Sequence, residues 1–152
     1  MSSNLSKPIK KLLVISDTAI CIKNNTYYGF GPVVKELESF DFVDEIIWIG
    51  FRKKFNQSFI EIKNKNITPV FLKTRGGKSI LSKIKIILEY PFYFITILRY
   101  LKTVNFIHIR TPSNPGVIAI ILSWFFPKKK FWFKYAGVWK GNASFFYKFQ
   151  RS

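Results

Sequence analysis

The amino-acid sequence predicts an α/β protein, a mostly parallel sheet with helices on both faces. Three observations predict it. Continuous apolar runs of strand length recur, apolar residues at helical spacing lie between them, and turn residues close most runs. The 152 residues suit one domain, and 48% apolar with 18% aromatic content supplies a core, which excludes a disordered chain. Cys21 is the one cysteine and His108 the one histidine, so neither a disulfide framework nor the usual structural zinc sets apply.

Residues 1–10 are polar, without an apolar stretch of signal-peptide length, and read as a tail on a cytoplasmic protein. Lys11 to Ser16 is a continuous apolar run, the pattern of a central strand covered on both faces. Ser16 and Asp17 are expected at its carboxyl end, followed by a polar loop through Asn24, Asn25 and Thr26. Val33, Val34, Leu37 and Phe40 then recur at helical spacing, with Pro32 in the first turn. Asp44 to Gly50 is a second buried strand.

Phe59 to Ile62 and Ile67 to Leu72 are further extended runs, and Pro69 assigns the latter to a strand start or an edge. Arg75 to Lys78 breaks the chain. Ser79 to about Val104 is helical, with Pro91 expected to end or kink it. Asn105 to Arg110 is a strand, Thr111 to Gly116 a turn, Val117 to Phe126 a helix and Phe131 to Tyr135 a strand. Lys128 to Lys130 complement the negative end of that last helix.

Neither long apolar segment reads as a membrane span. Ile80 to Leu101 carries Lys83, Lys85, Glu89 and Arg99, and Val117 to Phe126 is about half a bilayer long. The aromatic stretch Tyr90 to Leu98 suits either packing of a helix on the sheet or a membrane interface.

With 25 Lys and Arg against 8 Asp and Glu, the net charge of +17 attracts phosphate, nucleic acid or anionic headgroups without choosing among them. A Lys-rich proteome would give the same charge with no partner. No zinc finger, aromatic ribonucleoprotein signature or GXXG loop directs the chain to nucleic acid.

Ligands of open α/β sheets bind outside the carboxyl ends of the strands, at the switch point of strand order. That rule selects Ser16 and Asp17, Gly29 and Gly31, the segment Arg110 to Gly116 and the loop from Tyr135 to Gly141. Gly29 and Gly31 at a helix start suit an anion, or serve only the turn. His108 and Arg110 face one side of a strand, and Ile107 and Ile109 the other. His108 is either a core residue or an acid/base group, and Arg110 either grips a phosphate or carboxylate or pairs with Glu36, Glu38 or Asp44. Ser113 or Asn114 can cap the following helix. Lys134, Tyr135, Gly137 and Trp139 combine cationic and aromatic character suited to a sugar or phosphate, although Trp139 could equally pack on further chain.

The segments Phe106-Ile-His-Ile-Arg-Thr-Pro-Ser-Asn-Pro-Gly116 and Lys134-Tyr-Ala-Gly-Val-Trp-Lys-Gly141 resemble bacterial glycosyltransferases of family 4, or group 1. The resemblance implies the N-terminal, acceptor-side half of a GT-B fold, in which two Rossmann-like domains face each other across the active site. It implies hexosyl transfer from a nucleotide-sugar to a polysaccharide or lipid-linked acceptor, with no metal required. It places Gly29 and Gly31 near donor phosphate and acceptor, Arg110, Ser113 and Asn114 along the cleft, and Lys134 to Trp139 near the reacting centre. Here Tyr135 and Ala136 stand where many relatives have a histidine, and the glycine pair is Gly-x-Gly rather than adjacent. The family also needs a donor-binding C-terminal domain, so residues 11–152 are expected to be a truncated first domain, inactive alone. Peripheral contact with an anionic inner membrane face fits such acceptors. The competing expectations are a basic α/β module that binds anionic membrane or nucleic acid without chemistry, and an inactive remnant.

Overall fold

A computed structural model of the chain describes residues 9–73 and 80–135, the side chains of residues 80–86 excepted. The elements follow in the order β1 (Ile9–Lys23), β2 (Thr26–Phe30), α1 (Gly31–Glu38), β3 (Val43–Arg52), β4 (Phe59–Glu61) and β5 (Ile67–Leu72). Then come α2 (Ile80–Leu101), β6 (Phe106–Thr111), α3 (Asn114–Ser123) and β7 (Lys130–Tyr135).

Five strands run parallel in the spatial order β5-β3-β1-β6-β7. The chain builds outward from β1 to β3 and β5, then crosses back through α2 to build β6 and β7 on the other side. Strand order therefore reverses between β1 and β6, which is the switch point of a doubly wound sheet. The result is an open, mixed and mostly parallel α/β sheet with three helices among the described residues, consistent with a Rossmann-like fold.

Alternation of side chains lets the apolar run of β1 feed two cores. Leu12 and Val14 meet Val33, Val34 and Leu37 of α1 and Trp48 of β3 on one face. Leu13 and Ile15 meet Ile107 and Ile109 of β6, Tyr93, Ile97 and Leu101 of α2, and Ile118 and Leu122 of α3 on the other. Pro69 lies in β5, which bonds only β3 in the described sheet, as its missing N–H requires.

The structure corrects the beginning of the chain. Strand β1 starts at Ile9, inside the stretch read as a tail, and runs on past Ser16 to Lys23. Asn24 and Asn25, at φ of 48° and 60°, turn it back into β2, so the expected loop is a tight hairpin. Asn tolerates this left-handed backbone better than most residues, and two in succession suit the twist of a two-residue turn. The end of β1, β2 and β4 form an antiparallel extension beyond the carboxyl ends of the parallel strands.

Pairing of β1 with β3 slips in register between Ile15 and Ala19, opposite Gly50. A Cβ on Gly50 would lie 2.7 Å from the Thr18 carbonyl oxygen and 2.6 Å from Ile20 Cδ1, so the bulge needs glycine there.

Helix α2 spans Ile80–Leu101, close to the expected Ser79 to Val104, and does not end at Pro91, since Tyr93, Ile97 and Leu101 hold it in the core. One helix boundary differs from expectation. Helix α3 starts at Asn114 rather than Val117, because Ser113 Oγ accepts the Gly116 N–H at 3.0 Å and caps it. Among the described residues no helix is long and apolar enough to cross a membrane. The expected chain break at Arg75 to Lys78 lies outside the described residues.

Candidate functional site at the strand-order reversal

Strand β6 directs Phe106, His108 and Arg110 toward the face covered by α1, as their spacing requires. Its neighbour β7 pairs in register with it, Arg110 beside Lys134 and His108 beside Trp132. Two cations thus stand side by side on one sheet face, an unfavourable pairing unless a carboxylate intervenes. Glu36 of α1 supplies it. Arg110 Nη1 donates to Glu36 Oε2 at 2.6 Å, and Lys134 Nζ lies 2.9 Å from Glu36 Oε1.

Burial by itself would raise the pKa of the Glu36 carboxyl. The hydrogen bonds and charges of Lys134 and Arg110 outweigh burial, and the pKa lies below the ordinary value. The Arg110 side chain is 12% exposed and that of Lys134 43%, so the lysine is the cation at the rim.

His108 lies beneath this clasp, fully buried, with its ring centroid 4.3 Å from that of Trp132 and edge-on to Phe40. Its Nε2 is 3.8 Å from Glu36 Oε1, and neither ring nitrogen meets a hydrogen-bond partner. Burial first, then the charge of Arg110, lowers its pKa from 6.5 to about 4, against the weaker opposite pull of Glu36. The ring is neutral at neutral pH.

Asp17 sits where β1 exchanges β6 for β2 as its neighbour, directly at the reversal. It reaches solvent, yet the protein packed around its carboxyl raises its pKa, with a backbone hydrogen bond and Arg110 pulling the other way. Beside it Ser16 is buried, and its hydroxyl accepts the Trp48 indole N–H at 3.0 Å.

Of the two glycines expected at the helix start, Gly31 stands there and Gly29 does not. Gly29 is a buried residue of β2, where a Cβ would lie 2.6 Å from Trp48 Cη2, so its backbone makes room for the indole. Gly31 does open α1, but its N–H donates to the Ser58 carbonyl at 3.0 Å. Ser113 caps α3 and also donates to the Arg110 carbonyl at 2.8 Å, which ties the cap to the clasp strand. Asn114 is exposed in the first turn, and Tyr135 ends β7 opposite Thr111. Gly137 and Trp139 lie outside the described residues.

The structure therefore gathers Asp17, Arg110 and Lys134 at one end of the sheet, and adds Glu36 as the group that orders the cations. Sequence reasoning had Glu36 only as one of three partners for Arg110. The available signal was its place one helical turn beyond Val33, beside inward-facing Leu37. Comparison with protein-family models, with curated proteins and with solved structures gives no match. The chemistry of the site rests on its own geometry, a cation pair held by one carboxylate and suited to an anionic ligand.

Proposed function

We propose that the chain is the N-terminal, acceptor-side part of a GT-B glycosyltransferase similar to family 4 enzymes. On this reading it serves hexosyl transfer from a nucleotide-sugar to a polysaccharide or lipid-linked acceptor at the cytoplasmic face of the membrane. The observation that carries the reading is the position of Arg110 and Lys134, neighbouring cations near the carboxyl ends of β6 and β7 and beside the strand-order reversal. The resemblance of residues 106–116 and 134–141 supports it independently.

Glycosyl transfer from a nucleotide-sugar leaves negative charge on the departing diphosphate, and donors fixed in advance stabilise that charge best. Glu36 would hold the Arg110 fork in one orientation, while Lys134, more exposed, turns toward a ligand at lower cost. The donor-binding domain is outside this chain on this reading, so turnover belongs to the two-domain enzyme. The nucleotide-sugar is a co-substrate, and the reading requires no metal.

One observation favours a second reading. Glu36 already neutralises both cations, which suits a purely structural clasp in a basic, non-catalytic module. Thermal unfolding in the presence of nucleotide-sugars, nucleoside diphosphates and sugar phosphates decides between the two. The transferase reading expects at least one class to raise Tm, and Arg110→Ala to abolish the increase. A folded chain whose Tm responds to none of them would remove that reading and leave the module.

A further inference from the structure

Helix α2 is apolar on both sides over its second half. Tyr93, Ile97 and Leu101 face the core, while Phe92 and Ile95 are each more than 60% exposed. The adjoining α3 ends in Trp124 and Phe125, 71% and 72% exposed. An apolar groove of about 500 Å³ runs between the two helices, with Tyr90, Phe94 and Ile121 in its walls. A soluble monomer seldom leaves so much contiguous apolar surface uncovered.

Charge identifies what covers it. No Asp or Glu follows Glu89 in the sequence, and Glu89 itself is buried. Both helices lead into parallel strands, so their C-terminal ends lie at the same edge of the sheet. Arg99, Lys102 and Lys128, near these ends in the chain, are exposed, as are Trp124 and Phe125. Glu36 and Glu38 lie on α1, and Glu45, which shares the β3 face of Ile47 and Ile49, is already paired with Lys11 at 2.7 Å. A second copy of a chain with net charge +17 is repelled. Nucleic acid would answer the cations but leave the apolar stripe in water. An anionic bilayer offers both an apolar interior and negative headgroups, and exposed tryptophan together with lysine and arginine is suited to its interface.

We propose that the α2/α3 face docks peripherally on an anionic lipid bilayer, with Phe92, Ile95, Trp124 and Phe125 inserted among the acyl chains and Arg99, Lys102 and Lys128 at the headgroups. The clasp of Glu36, Arg110 and Lys134 lies on the opposite, α1 face of the sheet, so this orientation keeps it in water. The assignment does not depend on the transferase reading.

The test is flotation of the full chain with vesicles of phosphatidylcholine alone and of phosphatidylcholine mixed with phosphatidylglycerol. Mixed vesicles should bind, neutral vesicles about tenfold less, and added salt should weaken binding. The variant Phe92→Ser/Ile95→Ser/Phe125→Ser should keep its Tm and lose about tenfold in affinity, since apolar insertion scales with buried area. A second measurement needs no polar substitution: bromine-labelled lipids should quench the fluorescence of bound wild-type protein, and Trp124→Phe should remove most of the quenched signal. Undiminished binding by the triple variant, no quenching at Trp124, or a wild-type dimer that the triple variant converts to monomer would each overturn the proposal. None of these outcomes alters the nucleotide-sugar test above.

Discussion

Arg110 and Glu36 are joined at 2.6 Å across 74 residues of chain, and Lys134 reaches the same carboxylate from the next strand. Because no Asp or Glu follows Glu89, the side-chain carboxylate for these two cations has to come from earlier in the chain than either of them. The clasp thereby ties α1 to β6 and β7 on either side of the strand-order reversal. It is both the best candidate for an anion site and a long-range cross-link.

Glu36→Gln should leave Arg110 and Lys134 adjacent without their shared counter-charge. We expect a loss of about 1–3 kcal/mol at neutral pH, the range for a charged hydrogen bond broken while its partner stays partly buried. Urea unfolding measures it, and an unchanged midpoint would show the clasp to be energetically idle. Since the folded pKa of Glu36 is depressed, its contribution is present above the ordinary carboxylate pKa and fades as pH falls through the folded value.

His108 sets a different acid window. Its pKa falls from 6.5 to about 4 on folding, so between those values the unfolded chain binds a proton that the folded chain does not. Stability from this group is complete above pH 6.5 and declines by roughly 3 kcal/mol as pH approaches 4. His108→Leu should be near neutral at pH 7, because neither ring nitrogen has a hydrogen bond to lose, and should flatten that decline. Equal pH slopes for the two proteins would refute the assignment.

Ser16→Ala tests the turn of β1 at the reversal. It removes the acceptor of the buried Trp48 indole N–H and should cost about 1–3 kcal/mol. Denaturant unfolding followed by far-ultraviolet circular dichroism reads the cost. A wild-type midpoint would mean that Trp48 finds another acceptor at no penalty.

Gly29→Ala separates packing from ligand binding at the first glycine. The new methyl would press on Trp48 and on Val34 Cγ2, 2.8 Å away, and overpacking of this kind costs about 1–3 kcal/mol. Calorimetric Tm should fall accordingly. An unshifted Tm would show that the indole gives way and that the glycine is not there to accommodate it.

Much of the architecture was legible in the chain because its signals are local. The continuous run Leu12 to Ile15 marks a central strand, Val33, Val34 and Leu37 mark the inner face of α1, and Pro69 marks a strand with a free edge. The hairpin was not legible, because Asn24 and Asn25 look like any polar loop until β1 and β2 are paired around them. The start of α3 was misplaced because Ser113, read as one of two caps, leaves three residues of apparent turn inside the helix.

The sequence by itself determined which way Arg110 points, since alternation along a strand is a property of the backbone. Only the tertiary structure decided what it meets. Of the three acids within its reach on paper, Glu38 instead accepts the backbone N–H groups of Lys63 and Asn64, and Asp44 lies near the amino end of β3, away from the site. The choice of Glu36 depends on the rotation of α1 about its axis and on its height above β6. Both are set by how Val33, Val34 and Leu37 seat against Trp48 and Val14, contacts between segments far apart in the chain.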